Sequence, residues 1–225
     1  SQWPESQYSL EQCESRLILD GMMFKTDSDG DETAIPAVWH GIDEGLIDKV
    51  WMPTYSELSS GRLAENSDEI VLDSHIAMDL EIEVGDSIFI SSGHGKMEYE
   101  VVGIGFHSMH LYFAKEGSSI PADDGTFATG YLTDSGLEKL ANLSSGSSNF
   151  ILIDIKGTPT YDLQSTVDEN ENPDMTLLVN DLSVLMSELD ESPTSVYDRS
   201  GVISVEFLRA DAEGASKMYP YVTGM

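Results

Sequence analysis

The stretch IEVGDSIFI, residues 82–90, sets two short apolar runs on either side of a Gly-Asp pair. A related run, YEVVGIGF, follows at residues 99–106. Glycine relaxes the backbone at a tight turn, and aspartate bonds its own turn through its side chain. Gly85 and Asp86 therefore read as a structural turn joining strands, not as a ligand loop. Working outward, EIVLD before this stretch reads as a strand and SHIAMDL as a two-turn helix. Asp73 or Ser74 stands where a helix cap belongs, and Ala77 and Leu80 fall on the inward side. SIFIS and MEYEVVGIGF read as strands around an SGHGK turn. Val101, Val102 and Ile104 break the alternation of the second strand. That predicts either burial of both faces or a bulge near Gly103 or Gly105.

The segments on both sides extend this pattern. RLILDGMMFK and AIPAVWHGI predict a hairpin with a polar tip, with Pro36 at an edge or irregularity. The residues around Cys13, LEQCESR, look helix-compatible. GTFATGYL reads as a strand and TDSGLEKLANL as a helix, with Ser135 and Glu138 at capping-box spacing. NFILIDIK alternates, placing Ile151, Ile153 and Ile155 on one face. Leu178, Leu182, Leu185 and Leu189 form one stripe of a later helix. Clusters of Pro, Ser, Gly and Thr predict boundaries near Gly61 and Gly157. Strands and helices mingle without a regular βαβ cadence, so the predicted class is α+β.

The chain has 225 residues, 41 acidic and 11 basic, for a net charge of -30. Such a surface repels phosphate backbones, which argues against a nucleic-acid partner. No run approaches the roughly 18 apolar residues of a membrane span. The first residues lack the basic and apolar regions of a secretory leader. One cysteine, Cys13, rules out an internal disulfide, and its acidic setting does not favour a reactive thiolate.

Chemical motifs are sparse. Asp27, Asp29 and Asp31 match the first three ligands of a calcium loop. However, position six of such a loop would be Glu32 in place of glycine, and position twelve would be Val38. A hairpin tip explains the same residues, and the three aspartates stay only weak metal candidates. His107 and His110 are spaced for a metal only on a helix and lack a nearby third ligand. The chain contains no G-x-S-x-G nucleophile elbow and no phosphate loop. No catalytic residue and no cofactor is indicated.

The order of parts is more specific than any single motif. GRLAENSDEIVLDSHIAMDLEIEVGDSIFISSGHGKMEYEVVGIG gives a short strand, a short helix, a V-G-D turn and a strand ending in V-V-G-I. This order resembles the MacB-like periplasmic core domain of ABC-transporter permeases of the FtsX/LolC/LolE/MacB type. TGYLTDSGLEKL with NFILIDI downstream, and GMMFKTDSDGDETAIPAVWHGID upstream, resemble the same family, so the match spans roughly residues 15–156. The resemblance implies a non-enzymatic, extracytoplasmic domain on the cell membrane that couples membrane-helix motion to an external substrate or partner. It implies a cognate cytoplasmic ATPase, which would hydrolyse ATP, a permease dimer partner, and an external protein or lipoprotein partner. It also implies a porter-like βαβ part from both chain ends, here 1–60 and 157–225, with a smaller, mainly β "sabre" part inserted at 61–156. The competing expectation is a free-standing secreted binding or adhesion module, calcium-assisted through Asp27, Asp29 and Asp31.

Overall fold

The computed structural model describes residues 10–26, 30–42, 50–51, 60–107, 123–155, 179–184, 187 and 196. Contacts divide the chain into two compact units. One is Leu10–Ile155; the other combines Ser1–Ser9 with Lys156–Met225. In the second unit, residues 179–184 are helical and Leu182 is buried. Leu178, Leu185 and Leu189 of the expected stripe lie outside the described residues.

The unit Leu10–Ile155 is α+β and built on a mixed sheet. Its strands are β1 (Leu10–Thr26), β2 (Glu32–Gly41), β3 (Val50–Trp51), β4 (Ser60–Gly61), β5 (Glu69–Asp73), β6 (Ser87–Ser91), β7 (Met97–His107), β8 (Ala128–Leu132) and β9 (Phe150–Ile155). Its helices are α1 (Ser74–Asp79) and α2 (Asp134–Ala141). β1 pairs with both β2 and β6, so the ring β1–β2–β8–β5–β7–β6 closes on itself. Closure removes sheet edges and gives one inside to fill. Trp39, Tyr99, Ile70, Leu72 and Ile90 fill it, joined by Leu137 and Leu140 of α2 and Ile76 of α1.

Local sequence accounts for much of this. Ile35, Ala37 and Trp39 of β2 point in while their neighbours are less buried, and Ile88 and Ile90 do the same in β6. Pro36 pairs with Met22 on β1, one residue before the β8 ladder starts at Ala37. Its missing N–H thus costs no bond to β8. In β7 the pairing with β5 jumps from Val101 to Gly103, leaving Val102 as the extra residue of a bulge. Val101 and Val102 are both buried, so the broken alternation has both of its expected causes.

Three local expectations are corrected. The helix-compatible residues around Cys13 form a strand, because Leu10–Arg16 pairs antiparallel with the apolar alternation of β9. Tertiary pairing overrides a weak helical preference there. The Ser135–Glu138 capping box does not form. Thr133 caps α2 by accepting from Gly136 N at 3.1 Å, and Glu138 instead accepts from the Gly146 and Ser147 amides of the next turn. Finally, Gly61 is not in a linker. It sits in β4 and pairs with Gly103 of β7, where a Cβ would lie 2.2 Å from the Val102 carbonyl oxygen. The hairpin β1–β2 and the strands after Gly61 therefore share one sheet.

Candidate functional site

The V-G-D turn pins the start of β6 to β7. Gly85 has φ +101°, a conformation L side chains rarely adopt. Its N–H donates to Val101 O at 2.8 Å, and Val101 N donates back to Asp86 O at 2.8 Å. The Asp86 carboxylate accepts from Glu83 N at 2.9 Å. Every polar group at this turn named here is spent on backbone of the turn or of β7, which is a mechanical task.

The two ends of the unit Leu10–Ile155 meet. Leu10 and Ile155 are cross-strand partners, and the β1–β9 ribbon runs from them to Arg16 and Phe150. At its base, Asn149 clamps β1. Its side-chain amide accepts from Ile18 N at 2.8 Å and donates to Ile18 O at 2.7 Å, while its own N–H donates to Arg16 O at 3.0 Å. The side chain imitates one more residue of strand pairing. The chain thus enters and leaves the unit side by side, on a hydrogen-bonded ladder. Ile151 of this ribbon is 55% exposed, so the apolar alternation of β9 serves pairing more than burial.

A polar cluster lies where β5 passes into α1. Asp73 is 0% exposed and caps α1, accepting from His75 N at 2.9 Å. The same oxygen contacts His75 Nδ1 at 2.8 Å, and the other accepts from the Tyr131 hydroxyl at 3.3 Å. The Tyr131 ring lies 5.7 Å from the His40 ring and 5.9 Å from the His107 ring. The Asp73 carboxylate holds the His75 imidazole above its ordinary pKa. A second charged group, Glu69, is buried and takes both Nη atoms of Arg62, at 2.7 and 2.6 Å. Burial pushes the Tyr99 phenol up to about 12, and its hydroxyl donates to Gly136 O at 2.9 Å.

These shifted groups join secondary-structure elements to one another. A hollow at the C-terminal end of α1, lined by Ala77, Met78, Ile82, Ile104, Ser60, Glu81 and Glu83, contains none of them. Asp31 is exposed beside the hairpin turn, while Asp27 and Asp29 lie outside the described residues, as does His110. Among the described residues, no group of three His, Cys, Asp or Glu side chains is placed to hold a metal. Also among them, no helix is long and apolar enough to cross a membrane. The cluster at Asp73 was missed in the sequence because its members are dispersed from His40 to Tyr131. The helix-cap position of Asp73 was its one visible sign.

No family profile matches the chain, and no curated protein matches it in sequence. Two of the solved structures that the chain matches resemble it at a distance. One is the periplasmic region of MacB from Actinobacillus actinomycetemcomitans, with 15% identity, TM-score 0.39, and coverage of 80% of this chain and 69% of that one. The other is the extracellular domain of the noncanonic ABC-type transporter YknZ from Gram-positive bacteria, with 14% identity, TM-score 0.40, and coverage of 86% and 84%.

Proposed function

We propose that the chain is an extracytoplasmic domain of an ABC-transporter permease that couples membrane-helix motion to an external substrate or partner, without catalysis of its own. The observation that carries this reading is the pairing of Leu10 with Ile155. A unit that begins and ends on neighbouring strands is suited to insertion within a longer chain, and contacts group the residues on its two sides, Ser1–Ser9 and Lys156–Met225, together. The motif order at residues 61–105, with its resemblance to the MacB-like core domain, supports the same assignment. In this reading the two chain ends supply the porter-like part and the middle supplies the inserted part. We draw its seams at 9/10 and 155/156 in place of the 60/61 and 156/157 expected from sequence, since β1 and β2 share a sheet with the strands after Gly61. A separate cytoplasmic ATPase hydrolyses ATP, and a paired permease completes the transporter at the cell membrane.

Coupling needs a stiff connection. The β1–β9 ladder with its Asn149 clamp supplies one, because displacing either strand moves the other. Inserting Gly-Gly-Ser-Gly at both seams adds flexible chain while leaving the ladder and the closed sheet intact. In the complete transporter, the doubly inserted form is expected to fold with an unchanged melting temperature for the unit, yet fail to restore transport to a strain lacking the gene. Full restoration of transport would refute the coupling role.

A further inference from the structure

The outer face of β1 and β6 carries a feature that the coupling reading does not use. Phe24 and Phe89 are cross-strand partners. The ammonium of Lys96 lies 5.0 Å from the Phe24 ring centroid and 4.8 Å from that of Phe89. The Glu32 carboxylate closes the site as its ion-pair partner. Two aromatic faces and a carboxylate around one cation form a cation-binding cage, since ring quadrupoles and negative charge both attract an ammonium. Phe89 is 40% exposed and Met22 beside it 41%, so the cage opens to solvent on an apolar patch. Lys96 reaches it from the turn between β6 and β7. There, Cβ atoms built on Gly93 and Gly95 would meet nothing within 4 Å, so the tip of the turn is open, while buried Ser92 anchors its base by donating to Asp20 O at 2.9 Å.

We infer that Phe24, Phe89 and Glu32 form a docking site for a lysine side chain of a basic partner protein, and that Lys96 occupies it as a tethered internal stand-in. Charge selects the occupant. The chain carries -30, and exposed Glu98 lies directly across from Phe89, so a second copy is repelled while a basic surface is drawn in. Arrival of the partner's lysine displaces Lys96, and the apolar patch of Met22, Phe24 and Phe89 supplies contact around it. The cage is a property of the sheet's outer face, and stands or falls independently of any role in a transporter.

The test uses the whole chain and two capped tripeptides, acetyl-Gly-Lys-Gly-amide and its glutamine counterpart. They are titrated while NMR follows the Phe24 and Phe89 ring signals, at about 0.15 M salt to screen nonspecific attraction. Removing a tethered competitor whose effective concentration is in the millimolar range is expected to tighten lysine-peptide binding about tenfold in Lys96→Ala. Lys96→Gln should behave alike, and its melting temperature together with that of Lys96→Ala verifies folding. The glutamine peptide should leave the ring signals unmoved, and Phe89→Ala in the Lys96→Ala background should abolish saturation. The inference is overturned by a lack of saturable shift in folded Lys96→Ala. Equal response to the glutamine peptide, or binding that survives Phe89→Ala, would overturn it as well.

Discussion

Gly21→Ala is expected to cost about 3–5 kcal/mol, combining overpacking with loss of a partly buried hydrogen bond. Trp39 is 0% exposed at the centre of the core. Its indole N–H crosses β1 at Gly21 and donates to Ser91 O on β6 at 3.0 Å. A Cβ on Gly21 would lie 2.2 Å from Trp39 Nε1 and 2.1 Å from Ser91 O, in the path of that bond. On the other side, a Cβ on Gly130 would lie 2.7 Å from Ile70 Cδ1 and 3.0 Å from the indole ring. The ring is therefore confined between two glycines and cannot retreat. Against a total stability of about 5–15 kcal/mol for a domain, such a loss is large. Gly95→Ala is the control, because its Cβ meets nothing within 4 Å. It should stay within about 0.5 kcal/mol of the parent. Urea unfolding of the three proteins measures both values, and a Gly21→Ala midpoint equal to that of the parent would show that the indole does not lie over β1.

The second large effect belongs to Glu69. The Arg62 guanidinium, followed by the amides of Glu65 and Asn66, holds its carboxyl well below the usual carboxylate range, against the opposing effect of burial. A carboxylate with a depressed folded pKa stabilises the fold above its unfolded pKa and loses that contribution as pH falls toward the folded value. For Glu69 the loss begins near 4.5, the ordinary value, and continues downward. Arg62 is half-exposed, so solvent screens the ion pair and its share of the stability is discounted accordingly. Glu69→Gln is expected to be less stable at pH 7 by about 2 kcal/mol, the scale of hydrogen bonds to a charged group. The gap between parent and variant should narrow steadily below pH 4.5. A gap that stays constant with pH would mean that Glu69 titrates normally in the folded chain.

The periodic elements were legible in sequence because each is fixed by its own residues. SIFIS declares itself by alternation, EIVLD by a short apolar run between acidic ends and α2 by helical spacing, and the crowding of Val101 and Val102 signalled two-faced burial or a bulge. Closure of the sheet was not legible. It depends on Met22–Phe24 meeting Phe89–Ser91, strands separated by a long stretch of chain, and no local pattern encodes that register. Gly21 looked like an interruption of a strand. Its reason lies in Trp39 and Ser91, on two other strands. The residues at Cys13 misled because their helical preference is weak and their partner, β9, is remote in sequence. Likewise Glu138 had the spacing of a cap residue but found the amides of Gly146 and Ser147 instead. The cation cage was invisible for the same reason as the closure, since Phe24, Glu32, Phe89 and Lys96 become neighbours only through the β1–β6 pairing.

The proposed function makes this chain an extracytoplasmic domain of a permease, and such a domain requires membrane helices on both sides of it in the gene product. Reading the coding sequence immediately upstream of Ser1 and downstream of Met225 tests it most directly. The account predicts an apolar run of about 20 residues close to each side, enough for a membrane-spanning helix. A cleavable leader directly before Ser1 with a stop codon directly after Met225 would contradict it and identify a secreted module instead.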